Sequence, residues 1–185
     1  MTAESAYREL ADYLRRTAVL QACRRLLAWD RDTHMPRSGA ELRAEQLALL
    51  MGLLHRRRKA PELGALLERV APLADGADPD APVAANVREA QHDFDRATRV
   101  PVELIEERAR THTLAREAWV EARANDDFAS FLPWLEKNIV LARRYAEALG
   151  PADRLYDALL DEYEPGETAE HVSASFEPLH EALVD

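Results

Sequence analysis

Leu26-Leu27-Ala28-Trp29-Asp30-Arg31-Asp32-Thr33-His34-Met35-Pro36, followed by Ser38-Gly39-Ala40-Glu41-Leu42-Arg43-Ala44-Glu45-Gln46-Leu47, is the stretch that decides the fold. It ends one amphipathic helix, turns a corner and starts another. The ring of Pro36 pushes Met35 out of the α region, so helical propagation stops there. Ser38 and Glu41, three residues apart, fit a capping box in which each side chain satisfies the other's backbone N–H. Trp29 lies on an apolar stripe and reads as core, as buried aromatics usually are. Asp30 offers an acceptor for the backbone donors of the corner. On these grounds the stretch is a structural joint.

Upstream of the joint, residues 4–29 carry Tyr7, Leu10, Leu14, Ala18, Ala22, Leu26 and Trp29 at spacings of three and four, one face of a helix. Tyr13, Leu20 and Leu27 widen that face, and Thr17 marks a local irregularity. Downstream, residues 39–58 form the second helix with Leu42, Leu47, Leu50, Leu53 and Leu54 inward. Pro61 suits the first turn of a third helix, striped by Leu63, Leu66, Leu67 and Val70. Residues 72–82 are rich in Pro, Gly and Asp and read as a surface loop, not a domain boundary. Helices are expected over 83–98 (Val83, Val87, Ala90, Phe94, Ala97) and from Val100-Pro101 to Ala124 (Leu104, Ile105, Ala109, Leu114, Ala118, Trp119).

Asn125-Asp126-Asp127 is an N-cap cluster for the segment from Phe128 to Tyr145. Pro133 there implies two joined helices or a kink. Gly150-Pro151 ends that segment. Residues 152–162 form a short helix, Glu164-Pro165-Gly166 a turn, and Thr168 caps a last helix striped by Val172, Phe176, Leu179 and Leu183. No alternating strand pattern of useful length appears. The fold class is all-α, a multi-helix antiparallel bundle of seven or eight helices over residues 1–185.

Composition narrows the function. The net charge is −10, from 24 basic and 34 acidic residues, which disfavours nucleic acid and anionic membranes as partners. The one basic run, His55-Arg56-Arg57-Arg58-Lys59, falls at a helix C-terminus, where cations complement the helix dipole. Cys23 has no partner cysteine and reads as a small buried hydrophobe. No signal peptide and no apolar run of about 20 residues is present, so a cytoplasmic, non-membrane protein is expected.

Helical zinc sites use two histidines at i and i+4, with a glutamate beside the first to act on the bound water. Of His34, His55, His92, His112, His171 and His180, no two are four apart. His180-Glu181-Ala182-Leu183-Val184 begins like that motif, but valine stands where the second ligand must be. His92, with Asp93 and Asp95, and His112 can meet only across two helices, and a polar helix face accounts for them more simply. The adjacent acids Glu106-Glu107, Asp126-Asp127 and Asp161-Glu162 read as solvated faces. Tyr156, Asp157, Tyr163 and Glu164 are the polar residues best placed to face something, or else to lock a helix end and turn. No residue is assigned as catalytic, cofactor-binding or metal-binding. Paired Glu-x-x-His motifs are absent, which argues against a metal-storing bundle.

The joint resembles the N-terminal segment of the carboxypeptidase Taq family of zinc metallocarboxypeptidases. The resemblance is carried by Leu-Leu-x-Trp-Asp-x-x-Thr-x-Met-Pro at 26–36, by Arg43-Ala44-Glu45-Gln46-Leu47, and by Tyr156-Asp157-Ala158-Leu159-Leu160-Asp161-Glu162-Tyr163-Glu164-Pro165-Gly166. It runs along essentially the whole chain but covers less than half of a full-length member. It implies a larger helical fold with a deep groove, bound zinc, a peptide substrate that loses its C-terminal amino acid, and a homodimer. The family's His-Glu-x-x-His helix and downstream glutamate are absent here. The resemblance therefore implies that the chain supplies scaffold and groove wall, binds no zinc by itself and is inactive alone. The alternative is a stand-alone helical interaction module that has lost the catalytic half.

Overall fold

The computed structural model describes residues 2–78, 80–150 and 154–184. Among them the chain forms α1 (Ala3–Thr33), α2 (Ala40–Arg58), α3 (Pro61–Val70), α4 (Pro82–Arg99), α5 (Val102–Ala124), α6 (Phe128–Leu149), α7 (Leu155–Leu160) and α8 (Ala169–Val184). Short 3-10 turns at Arg37–Gly39 and Ala71–Leu73 complete it, with no strand among the described residues. The fold is all-α. It divides into two compact units, Met1–Ile139 and Val140–Asp185, and the division falls inside α6.

In the first unit, the N-terminal half of α1 packs on α3 and α4. Ala6 and Leu10 join Leu63, Leu67, Val70, Val87 and Ala90 in one buried cluster. The stripes expected on α3 and α4 are the faces that meet there. A polar knot ties the next turn of α1 to the end of α2. The Tyr13 hydroxyl donates to Arg57 O (2.7 Å), and Arg57 donates from Nε to Thr17 Oγ1 (3.0 Å). The guanidinium also lies over the Tyr13 ring, 4.2 Å from its centroid. Thr17 bonds back to Tyr13 O and leaves α1 unbroken, so it is a docking point and not the expected irregularity.

Helices α2 and α5 run antiparallel along most of their lengths, with Ala44, Ala48 and Gly52 buried on α2. Gly52 is required by close approach: an added Cβ would collide with Glu106 of α5, whose Cγ would lie only 2.8 Å away. At the end of this seam, His55 is buried and its Nε2 donates to Val100 O (2.7 Å), which Lys59 also contacts (3.2 Å). The basic run is thus not wholly a solvated helix end, because its first member is part of the core.

Several expectations on α1 and α2 are corrected. From Thr17 to Arg31, the packed side of α1 carries Thr17, Leu20, Gln21, Arg24, Leu27, Ala28 and Arg31. Ala18, Val19, Ala22, Cys23, Leu26 and Trp29 are exposed. Trp29, 55% exposed, is not core, and Cys23 is not a buried hydrophobe. Leu42 and Leu53 of α2 also face outward. Periodicity marks an apolar face without marking what covers it. The Ser38–Glu41 capping box does not form either. Helix α2 begins instead from Gly39, the last residue of the 3-10 turn Arg37–Gly39, and its start carries no side-chain cap hydrogen bond.

Helix α6 passes through Pro133 as one helix, with Ser130 N–H donating to the Asp127 carboxylate at its start (3.1 Å). In the second unit, Gly150 and Gly166 adopt φ of +113° and +82°, the left-handed values at which glycine is unstrained. Thr168 Oγ1 caps α8 by accepting from His171 N–H (3.2 Å). The helix expected over 152–162 is shorter, Leu155–Leu160, with Asp161 and Glu162 in the following turn; Pro151, Ala152 and Asp153 lie outside the described residues.

Two outcomes test this packing. Leu10→Ala is expected to lower stability by about 2–5 kcal/mol and Trp29→Ala by no more than about 0.5 kcal/mol, read from urea melts. Burial first, and then the neighbouring cations Lys59, Arg58 and Arg56, hold the His55 imidazole below its ordinary value of 6.5, against the opposing bond to Val100. The unfolded chain binds that proton more readily. The contribution of His55 is therefore complete above 6.5 and is lost as pH falls through the folded-state value. The urea midpoint should drop between about pH 7.5 and about pH 5, and less so in His55→Gln, which keeps an N–H for Val100.

Candidate functional site

The candidate site is the α1–α2 corner, built around one arginine. The Asp30 carboxylate pairs with Arg43 at 2.6 Å, and the Arg43 side chain is 13% exposed. Arg43 also donates from Nη1 to Leu27 O (2.6 Å) and from Nε to Gln46 Oε1 (2.9 Å). A guanidinium offers donors in a fixed fork, so one side chain holds the last turn of α1, the acid beside Trp29 and its own helix. The backbone donors of the corner, His34 N–H and Met35 N–H, both go to Asp30 O at 2.9 Å. The main chain of Asp30 thus serves those donors, and its side chain serves Arg43, contrary to the expected use of the carboxylate.

The outer side of the corner is also tied down. Thr33 donates to Trp29 O (2.7 Å) and lies 2.7 Å from His34 Nδ1. The Trp29 and His34 rings sit tilted, 5.0 Å between centroids. Asp32 takes Arg31 Nε at 2.9 Å and lies 3.7 Å from Arg116 of α5. The Arg31 hydrogen bond, followed by the charges of Arg31 and Arg116, outweighs desolvation and keeps the Asp32 carboxyl below its usual range. Asp32 is a fixed anion, unsuited to proton transfer near neutral pH.

Among the described residues, clefts also open elsewhere in the first unit. One, about 370 Å³, is lined by Trp119, Phe128, Phe131, Arg123, Asp126 and Asp127. Its Trp119 ring has Arg116 and Arg123 at 5.2 and 5.3 Å, and Asp127 is already the cap of α6. Another, about 210 Å³, lies among Leu14, Thr17, Gln21, Arg58, Leu63 and Asp93. Neither brings together a nucleophile, a base and an oxyanion donor.

The residues singled out in the sequence do not converge. His34 is exposed just past the end of α1 and His112 is exposed on α5, His55 is committed to Val100, and His92 is half-buried on α4. His171 of α8 pairs with Glu167, which precedes that helix, and His180 and Glu181 are exposed farther along α8. Asp157 accepts from Ala169 N–H (2.9 Å) and locks the helix–turn–helix of the second unit, while Tyr156, Tyr163 and Glu164 face outward. Among the described residues no three His, Cys, Asp or Glu side chains come together to hold a metal ion. Sequence reasoning missed the role of Arg43, whose only signal was its place in Arg-Ala-Glu-Gln-Leu, seven residues after Pro36.

Fold and corner together define an all-helical protein with a charged joint between its first two helices. Comparison with known proteins specifies it further. Residues 9–185 match the family described as Carboxypeptidase Taq (M32) metallopeptidase. Thermostable carboxypeptidase 1 of Thermus thermophilus is 41% identical over 99% of this chain, which covers 38% of that protein. The crystal structure of BsuCP superposes with a TM-score of 0.87 at 28% identity, over 96% of this chain and 35% of that one. A Pyrococcus furiosus carboxypeptidase structure gives 0.72 at 35% identity, over 95% and 35%.

The chain belongs to the carboxypeptidase Taq (M32) family of metallopeptidases and corresponds to the N-terminal part of its members. It spans little more than a third of the length of the relatives it matches. The family implies a metal, but the scattered donors described above do not fit one.

Arg43→Lys tests the corner, because an ammonium cannot reach Leu27 O, Asp30 and Gln46 together. It should cost about 1–3 kcal/mol in a urea melt and speed hydrogen exchange at the His34 and Met35 amides.

Proposed function

We propose that this chain is the scaffold and groove wall of a zinc-dependent metallocarboxypeptidase that removes C-terminal amino acids from peptides. The observation carrying the reading is the pairing of a family match over residues 9–185 with a span of 34–38% of the relatives' length. The charged corner suits a scaffold role, because Arg43 joins α1 to α2 and Asp32 faces Arg116 of α5, and neither offers a reactive group. Metal binding and water activation then belong to the portion of the fold that this chain does not contain.

A second reading, a stand-alone helical interaction module, draws on the self-contained core around Leu10, Leu63, Leu67 and Val87. The two readings differ in what surface stays unsatisfied. Phe128, Ile139, Val140, Phe176 and Leu183 are all at least 45% exposed. Large apolar exposure of this kind is usually covered by association, most often through a twofold axis.

The purified 185-residue chain is expected to bind no stoichiometric zinc, to release no C-terminal amino acid from peptides, and to be dimeric or larger by light scattering. One equivalent of zinc with chelator-sensitive peptidase activity would overturn the assignment of the chemistry to the remaining portion. A stable monomer at micromolar concentration would favour the module.

A further inference from the structure

Helix α1 turns an apolar stripe outward over its second half. Helices at a protein surface turn their apolar stripe inward and their polar face to water. Here the packed side mixes Thr17, Gln21, Arg24 and Arg31 with Leu20, Leu27 and Ala28, while Val19, Ala22, Leu26 and Trp29 face outward. Val19, Leu26 and Trp29 are 62%, 63% and 55% exposed. At 3.6 residues per turn these four positions fall within about 80° of one another. Their spacing of three, four and three is that of a helix–helix seam, in which such residues insert between side chains of a facing helix. The packed side is the less comfortable one: Gln21 Oε1 and Arg24 Nε are buried there without a partner.

The corner bonds hold this stripe in place. Arg43 anchors the final turn of α1 through Leu27 O and Asp30, and Thr33 closes it onto Trp29 O. A rigid apolar ridge lacking a cover costs free energy in water, so its occupant is expected to be apolar and to be present whenever the complete fold is. The matched relatives are between two and three times longer than this chain, and helix α1 lies inside the matched region.

We infer that the Val19–Ala22–Leu26–Trp29 ridge is the docking seam for an apolar helix face in the remaining portion of the carboxypeptidase fold. This rests on the reading of the chain as the N-terminal part of such an enzyme. It adds the surface, the register and the chemistry of the partner. The family's Trp-Asp pair then has two separate tasks: Trp29 faces the partner, and Asp30 holds the joint that aims it.

The test is a chimera in which this chain replaces the matched segment of the Thermus thermophilus relative. In the chimera, Leu26→Glu and Trp29→Glu place a carboxylate in the seam and should each lower Tm by about 5 °C or more. In the free chain both residues are exposed, and the same substitutions should leave the far-UV circular dichroism unchanged. Cys23, exposed beside the ridge, gives a readout that needs no destabilising variant: its alkylation, followed by mass spectrometry, should slow about tenfold or more in the chimera relative to the free chain.

If the chimera folds and cleaves peptides but neither substitution moves Tm and Cys23 stays equally reactive, the seam is elsewhere and the inference fails while the functional reading stands. If Leu26→Glu abolishes self-association of the free chain yet leaves the chimera untouched, the ridge is a seat for a second copy, and the inference also fails. If the unsubstituted chimera does not fold, the functional reading fails and takes the inference with it.

Discussion

The close approach of α2 and α5 is the constraint on which the first unit depends. Ala44, Ala48 and Gly52 bring the backbone of α2 near its neighbour, and Glu106 lies across the space a side chain at 52 would fill. Glu106 reaches Arg56 from that position at 3.1 Å. A residue larger than glycine would evict the carboxylate and break this pair. The same register carries His55 to Val100 O, so the end of α2 clamps the extended link between α4 and α5. Pro101 cannot donate a backbone hydrogen bond, and its ring holds Val100 extended. The clamp is where that link meets the core.

From this seam the long α1 is positioned at two points. Arg57, near the end of α2, grips Tyr13 and Thr17, and Arg43, near its beginning, grips Leu27 and Asp30. Both are guanidiniums binding backbone carbonyls of another helix, and both are largely shielded from water. Such charge-assisted bonds are stronger than neutral ones and directional. They let a helix with a mixed packed side stay docked while its apolar stripe remains outward. The stability of the unit and the exposure of the ridge thus share one cause.

The Asp32–Arg116 contact extends this framework to α5, where Trp119 lies between two arginines. These charges are spent on holding helices.

The sequence by itself determined the helices and their ends, and the family. Proline before a corner, glycine after a helix and apolar residues at three and four are local steric and hydrophobic constraints, legible without neighbours. They located α3, α4 and α5 closely and set the core around Leu10, Leu63 and Leu67. Leu-Leu-x-Trp-Asp-x-x-Thr-x-Met-Pro was equally legible as a motif. Only the tertiary structure decided which way each face turned. Trp29 and Leu26 carry the same period as Leu10, yet Leu10 is buried and they are exposed, because burial depends on whether another helix arrives. Cys23 was misread because no element packs over it, and the Ser38–Glu41 pair because α2 starts one residue later, from a 3-10 turn and without a side-chain cap. The roles of Arg43 and His55 were hidden because their acceptors, Leu27 O and Val100 O, lie 16 and 45 residues away in the chain. Backbone carbonyls leave no mark in a sequence, so bonds to them appear only once the chain is folded.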